Sequence, residues 1–237
     1  MNQTHDHIRS YVIRQARMSK HQRAALERLY PRYGVTLRDE PLRWGECFGN
    51  ENRVIVEIGF GMGEALIAIA RRLPDHNFFG IEVHKPGLGK TLAGIEREGL
   101  LNVRMIREDA VLVFRRMIAP GSVAGVHVFF PDPWPKKRHH KRRLIKPGFP
   151  ELVVPALAPD GYLHLTTDWD DYAEQIAQVL GVHHGLRREP IAHAPSADGR
   201  FRPETEFERK ARAQGHSIHE LFFRRTAGGR SPGAARD

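Results

Sequence analysis

From residue 54 onward the chain alternates short, wholly apolar runs with stretches whose apolar positions recur every three or four residues. A strand covered on both faces reads as a continuous apolar run, so this alternation predicts parallel strands joined by helical crossovers. The runs place strands at Val54–Ile58, Asn77–Val83, Val103–Arg107, Val126–Phe130 and Gly161–Thr167. The longer periodic stretches place helices at Gly63–Leu73, Lys85–Glu98, Val111–Met117, Phe149–Leu157 and Tyr172–Leu180. Pro74 stops the first of these helices, and Pro86 opens the second, which Gly99 breaks. Leu186–Glu189 and Glu220–Arg225 read as a late strand pair, since the chain between them is long and polar. The expected fold class is α/β, a mostly parallel sheet with helices on both faces.

Residues 1–50 break the pattern. They read as an arginine-rich arm or cap, helical from Ser19 to Leu29 and irregular around Pro31, Gly34 and Pro41. Residues 51–226 hold the α/β unit, and 227–237 are small and polar, a composition expected to be disordered.

Composition adds mainly a charge argument. The net charge is +9, with +4 from residues 1–30 and +6 from Lys136–Arg143, so the remainder is close to neutral. Positive charge concentrated in two places implies an anionic partner. No apolar run is long enough to cross a bilayer, and the N-terminus lacks a signal-peptide core, so the expected location is the cytoplasm. Cys47 is the only cysteine, which excludes internal disulfides and multi-cysteine zinc sites; it reads as a small hydrophobe. The histidine pairs 139/140 and 183/184 lack ligand spacing, and no structural metal is expected.

Two stretches carry candidate chemistry. In Glu57-Ile-Gly59-Phe-Gly61-Met-Gly63 a glycine turn joins the first strand to its helix, where free helical N–H groups and bare backbone admit a ligand. Glu82 ends the next strand, placed to accept from ribose hydroxyls, and Asp109 follows the third, in reach of an adenine amino group. Three acidic residues at successive strand ends make a nucleoside pocket. Glu57 and Glu64 flank the turn, which disfavours a pyrophosphate and suits the cationic ammonium and sulfonium of S-adenosylmethionine. The second stretch, Phe129-Phe-Pro-Asp132-Pro-Trp134-Pro-Lys136, runs from a strand end directly into the basic cluster Lys136–Arg143. Asp132 thereby lies on the ligand-binding edge of the sheet beside a phosphate grip.

With these motifs the sequence resembles the bacterial tRNA (guanine-N7-)-methyltransferases. The likeness runs from about Arg9 to Arg225 and rests on VEIGFGMGEAL, GIEVHKPG, FFPDPWPKKRHHKRRL, TTDWDDYAE and RPETEFERKARAQGHSIHELFFRR. The resemblance implies a Rossmann-like class I methyltransferase fold with a seven-stranded sheet. It implies that Glu57, Gly59, Gly61, Glu82, Asp109 and Asp132 hold S-adenosylmethionine, with Asp132 also the catalytic carboxylate. It implies substrate contacts from Lys136, Asp168, Thr205, Glu206, Phe207 and Glu208. The implied substrate is tRNA, methylated at N7 of guanine 46 in the variable loop. Arg138, His139, His140, Lys141, Arg142 and Arg143 would contact the RNA backbone. On the residues alone, Arg9, Arg14 and Arg17 read as an RNA-contacting arm, with a plain solvated face as the alternative. Trp169 is read equally as a core aromatic or a neighbour of the base pocket.

Two other classes stay open on the residues alone. An amino-group methyltransferase uses Asn/Asp-Pro-Pro-aromatic, whereas here Trp134 separates Pro133 from Pro135. A non-catalytic RNA-binding module on the same fold would not need the acidic strand ends, and a nicotinamide dehydrogenase would want a different glycine spacing.

Overall fold

The computed structural model describes residues 10–11, 17–191 and 202–226. Arg9, Arg14 and the tail from Ala227 lie outside the described residues. The helices are α1 Lys20–Tyr33, α2 Trp44–Phe48, α3 Glu64–Arg72, α4 Lys85–Arg97, α5 Ala110–Met117, α6 Phe149–Val153, α7 Asp170–Gly181 and α8 Glu206–Ala213. The strands are β1 Gly34–Val35, β2 Arg53–Ile58, β3 His76–Ile81, β4 Val103–Ile106, β5 Val123–Phe129, β6 Leu157–Thr167, β7 Leu186–Glu189 and β8 His219–Arg225. They form one sheet in the order β1-β4-β3-β2-β5-β6-β8-β7. The first six run parallel, while β8 lies antiparallel between β6 and β7. The sheet has eight strands rather than the expected seven, the extra one being the two-residue β1 beside β4.

Strand order decides where a ligand can enter. The chain leaves β2 toward β3 on one side and later returns to β5 on the other, so the two crossovers diverge and open a crevice at the carboxyl ends of β2 and β5. The sheet is buried on both faces by separate cores. Val54, Val56, Val126 and Leu163 pack against α5, α6 and α7. Ile55, Phe78, Met105 and Phe222 pack against α1, α3 and α4.

Three elements differ from the sequence-based expectation. α1 runs on through Pro31 to Tyr33, because the proline sits in the last turn and the helix closes with the Gly34 N–H on the Tyr30 carbonyl. Its start is set by a reciprocal capping box between Ser19 and Gln22. α6 stops at Val153 rather than at Leu157; Pro155 has no N–H to extend it, and Leu157 already pairs with Val123 in the sheet. The segment expected as a polar return instead forms α8, capped by the Thr205 side chain accepting from the Glu208 N–H.

Candidate active site

At the crevice lies a cavity of about 580 Å³. Gly59 and Glu82 line one wall, Phe130, Asp132 and Trp134 the other. The glycine turn has φ of 72° at Gly59, 55° at Gly61 and 80° at Gly63, a left-handed region that residues with a Cβ rarely adopt. A Cβ at Gly59 or Gly61 would meet nothing within 4 Å, so bare backbone there faces open space. The other side of the turn is tight: a Cβ on Gly87 of α4 would come within 2.2 Å of the Gly61 carbonyl.

Three carboxylates stand at the strand ends as expected, in three different conditions. Glu82 is buried and holds the turn in place: its Oε2 accepts from the Gly61 N–H at 2.8 Å, and its Oε1 accepts from Val83 at 2.7 Å and His84 at 2.9 Å. A carboxylate has about four lone-pair sites, so Oε2 keeps room for a ligand hydroxyl. Asp109 is the N-cap of α5, accepting from the Val111 N–H at 2.8 Å. Glu57 is 2% exposed, and its Oε2 is buried without a hydrogen-bond partner. Neither Glu57 nor Asp109 borders the cavity directly. Burial, reinforced by the neighbouring Glu82 charge, pushes the Glu57 carboxyl up to about 8. An unpartnered buried carboxyl behind an open glycine turn fits a cationic ligand, and the carboxyl acceptors suit the ammonium, sulfonium and ribose hydroxyls of S-adenosylmethionine.

The Glu57 shift has a measurable sign. Its ordinary value is 4.5, so between there and about 8 the folded protein retains a proton that the unfolded chain has released. The stabilising contribution is full below 4.5, declines as pH rises and is lost above about 8. The melting temperature of the ligand-free protein should therefore fall from pH 5 to pH 8 more steeply than that of Glu57→Gln. Parallel melting curves for the two proteins across that range would remove the assignment.

The opposite wall is strained. Phe130 and Trp134 have φ of 51° and 47°, costly for bulky residues at about 1–3 kcal/mol each. Several contacts hold them. The Phe130 N–H donates to the Thr166 carbonyl at 2.9 Å, and its ring lies 5.0 Å from that of Phe207. Trp134 Nε1 donates to the Ser10 carbonyl at 3.0 Å, and the Arg142 guanidinium sits 5.1 Å over its ring. Ser10 and Tyr11 thus join the cavity lining. Asp132, exposed at the rim between these two residues, sits where cavity and basic cluster meet.

The basic cluster forms a 3-10 helix at Lys137–Arg142 with Lys136 as its N-cap. Lys136, Lys137, Arg138 and Lys141 are exposed, and His139, His140 and Arg142 are half-buried. Local desolvation and the surrounding cations, Arg138 and Arg142 first, hold the His139 imidazole below its ordinary value. Arg143 corrects the expectation of a phosphate contact. It is 1% exposed, with its guanidinium spent on the Pro133 carbonyl, Gln175 and Asp171, so it cannot reach RNA backbone.

The Thr205–Glu208 segment also sorts differently from the expectation. Thr205 caps α8, and the Glu206 N–H donates to Glu64 Oε2 at 2.8 Å, which ties α8 to the start of α3. Phe207 remains 53% exposed against Phe130. Glu208 is buried in ion pairs with Arg202 and Arg212, which tie α8 to the segment before it. Sequence reasoning missed Arg202, which also donates to Glu220 at 3.2 Å and lies 5.4 Å from the Phe130 ring. The Thr205-x-x-Glu208 capping pattern was the available signal for α8. Asp168, at the end of β6, faces His216 Nδ1 at 3.4 Å. Trp169 packs partly against the core, edge-on to His216. Cys47 is likewise half-buried against the core. Among the described residues, no helix is long and apolar enough to cross a membrane.

Comparison with known proteins places this arrangement. A family model described as "Putative methyltransferase" matches residues 51–221. The chain is 49% identical over 219 residues to a tRNA (guanine-N(7)-)-methyltransferase of Bordetella pertussis, covering 92% of this chain and 85% of that protein. It is 47% identical to the enzyme of that name from Nitrosomonas europaea, covering 94% and 99%. Among solved structures, the 16S rRNA methyltransferase KamB superimposes with a TM-score of 0.55 at 16% identity, covering 82% of this chain and 99% of that one. The aminoglycoside resistance methyltransferase NpmB1 gives 0.53 at 17%, covering 77% and 92%. These structures share the class I methyltransferase fold with this chain, and the sequence identities are specific enough to conclude that it belongs to the bacterial tRNA (guanine-N(7)-)-methyltransferase family.

Proposed function

We propose that this protein transfers a methyl group from S-adenosylmethionine to N7 of a guanine in tRNA, at position 46 of the variable loop. The observation that carries the reading is one cavity with the glycine turn and Glu82 on one wall and Asp132 on the other, opening directly beside an exposed basic helix. A nucleoside cofactor and a phosphate-bearing substrate meet there. In this reading Glu57, Gly59, Gly61, Glu82 and Asp109 hold the cofactor. When bound, it supplies an electrophilic methyl that the guanine N7 lone pair takes up as the carbon–sulfur bond breaks.

Guanine N7 is already an acceptor, so the protein need not remove a proton before transfer. Its tasks are in-line placement and support of the positive charge that appears on the purine. Asp132, at the rim of the cavity, supplies the negative charge. Asp168 and Glu206 stand on two other elements around the same edge, as carboxylates suited to the N1–H and N2–H₂ side of guanine. The exposed Phe207 ring offers a face on which a splayed-out base can stack. The deciding experiment is nucleoside analysis of tRNA after incubation with the protein and methyl-labelled S-adenosylmethionine. Label in N7-methylguanosine, lost when guanine 46 is replaced by adenine, is the expected result. Label in an exocyclic amino group would select the amino-methyltransferase reading instead.

The basic helix has its own test. Neutralising Arg138, Lys141 and Arg142 should weaken tRNA binding and make the slope of log K against log salt shallower by about 0.7–0.9 for each phosphate no longer neutralised. Affinity for S-adenosylmethionine should stay within a factor of two. A salt slope identical to that of the parent protein would reduce the helix to a solvated surface.

A further inference from the structure

Arg143 ends the basic cluster in sequence yet points the other way. Each of its three guanidinium nitrogens is engaged inside the protein: Nε donates to the Pro133 carbonyl at 2.8 Å, one terminal nitrogen to Gln175 Oε1 at 2.8 Å, and the other to Asp171 Oδ2 at 2.7 Å. The guanidinium also lies 4.6 Å from the centre of the Tyr172 ring. Further bonds complete the joint, since the Ile145 N–H donates to the Tyr172 hydroxyl and Gln175 Nε2 donates to the Ile145 carbonyl. Pro133 directly follows Asp132, and Asp171 lies three residues beyond Asp168, in the first turn of α7. One buried side chain therefore bridges the loop that carries Asp132 and the first turns of α7, just after Asp168.

We propose that Arg143 is a positioning residue for methyl transfer, a strut that fixes the Asp132 turn relative to the Asp168 turn and so sets where the target base sits. This rests on the proposed tRNA methylation. A guanidinium fits the task because its planar fork grips three acceptors at fixed angles, which a lysine ammonium on a flexible stem does not. Flanking residues that are near a transfer centre but do not touch the substrate act through geometry, and a displacement of about 1 Å can cost about 100-fold in rate.

The test uses the full-length protein with tRNA and S-adenosylmethionine, assayed well below the melting temperature of each variant. Arg143→Lys and Arg143→Met should lose roughly 10–100-fold in kcat. KM for tRNA and the salt slope of tRNA binding should stay within twofold of the parent values. Methylguanidinium added to Arg143→Ala should restore part of the missing rate, a readout that mere stabilisation of the fold would not give. If the Arg143 variants do not fold, Asp171→Leu and Gln175→Leu each remove one grip and should lower kcat with unchanged KM. Near-parental kcat in the folded variants, a shallower salt slope, or absence of rescue overturns the proposal. A parent protein that labels no tRNA would instead overturn the function on which it rests.

Discussion

Asp132→Asn is expected to slow single-turnover methylation by about 100-fold or more, with tRNA and S-adenosylmethionine both saturating. The substitution keeps the shape of the side chain and one acceptor oxygen, and removes its charge. If Asp132 acted solely by shaping the Pro131–Pro133 turn, asparagine would serve nearly as well. If it offsets charge developing on the purine, the loss appears in the chemical step and not in binding. Its position favours the second reading, because the turn is already over-determined by Phe130 on Thr166, Trp134 on Ser10 and Arg143 on Pro133. A well-folded Asp132→Asn protein with near-parental single-turnover rate would falsify the catalytic assignment.

The second large effect is expected at Glu82. Its carboxylate does two jobs, since one oxygen holds the Gly61 amide of the glycine turn and the other holds the amides of Val83 and His84. Glu82→Ala therefore removes the proposed acceptor for a cofactor hydroxyl and leaves three backbone N–H groups without their acceptor. Hydrogen bonds to a charged group contribute about 1.5–3 kcal/mol each, so S-adenosylmethionine should bind roughly 10- to 150-fold more weakly. The melting temperature should fall as well, because the turn loses its tether. Calorimetry on Glu82→Ala against the parent decides the matter, and unchanged affinity would take Glu82 out of the binding site.

Much of this site could be read along the chain because its signals are local. A glycine turn between an apolar run and a periodic stretch announces a strand–turn–helix unit, and Glu57, Glu82 and Asp109 each stand at or just past the end of an apolar run. Their roles were less legible. Glu57 and Glu82 look alike in sequence, yet burial leaves one carboxyl oxygen unpartnered while three amides surround the other side chain. The burial of Arg143 and Glu208 was illegible for a related reason. A charged residue in a charged stretch reads as solvent-facing unless its partners are known, and those partners are Asp171, Gln175, Arg202 and Arg212, brought together only by folding. Arg202 stood out by no local pattern at all. The strand β1 is two residues long and owes its pairing with β4 to the fold rather than to its own sequence.

The close seating of α4 constrains how this protein can be made more robust. Glycine within a helix normally invites replacement by alanine, which trims the freedom of the unfolded chain and stabilises by about 0.4–1 kcal/mol. Here two such sites are closed off: a methyl on Gly87 would collide with the Gly61 carbonyl at 2.2 Å, and one on Gly89 with the Gln22 carbonyl at 2.3 Å. Both neighbours are backbone and cannot swing aside. An engineer seeking heat resistance, or a lineage drifting toward it, must leave that stretch of α4 loosely encoded, because tightening it pushes on the glycine turn at Gly87 and on α1 at Gly89.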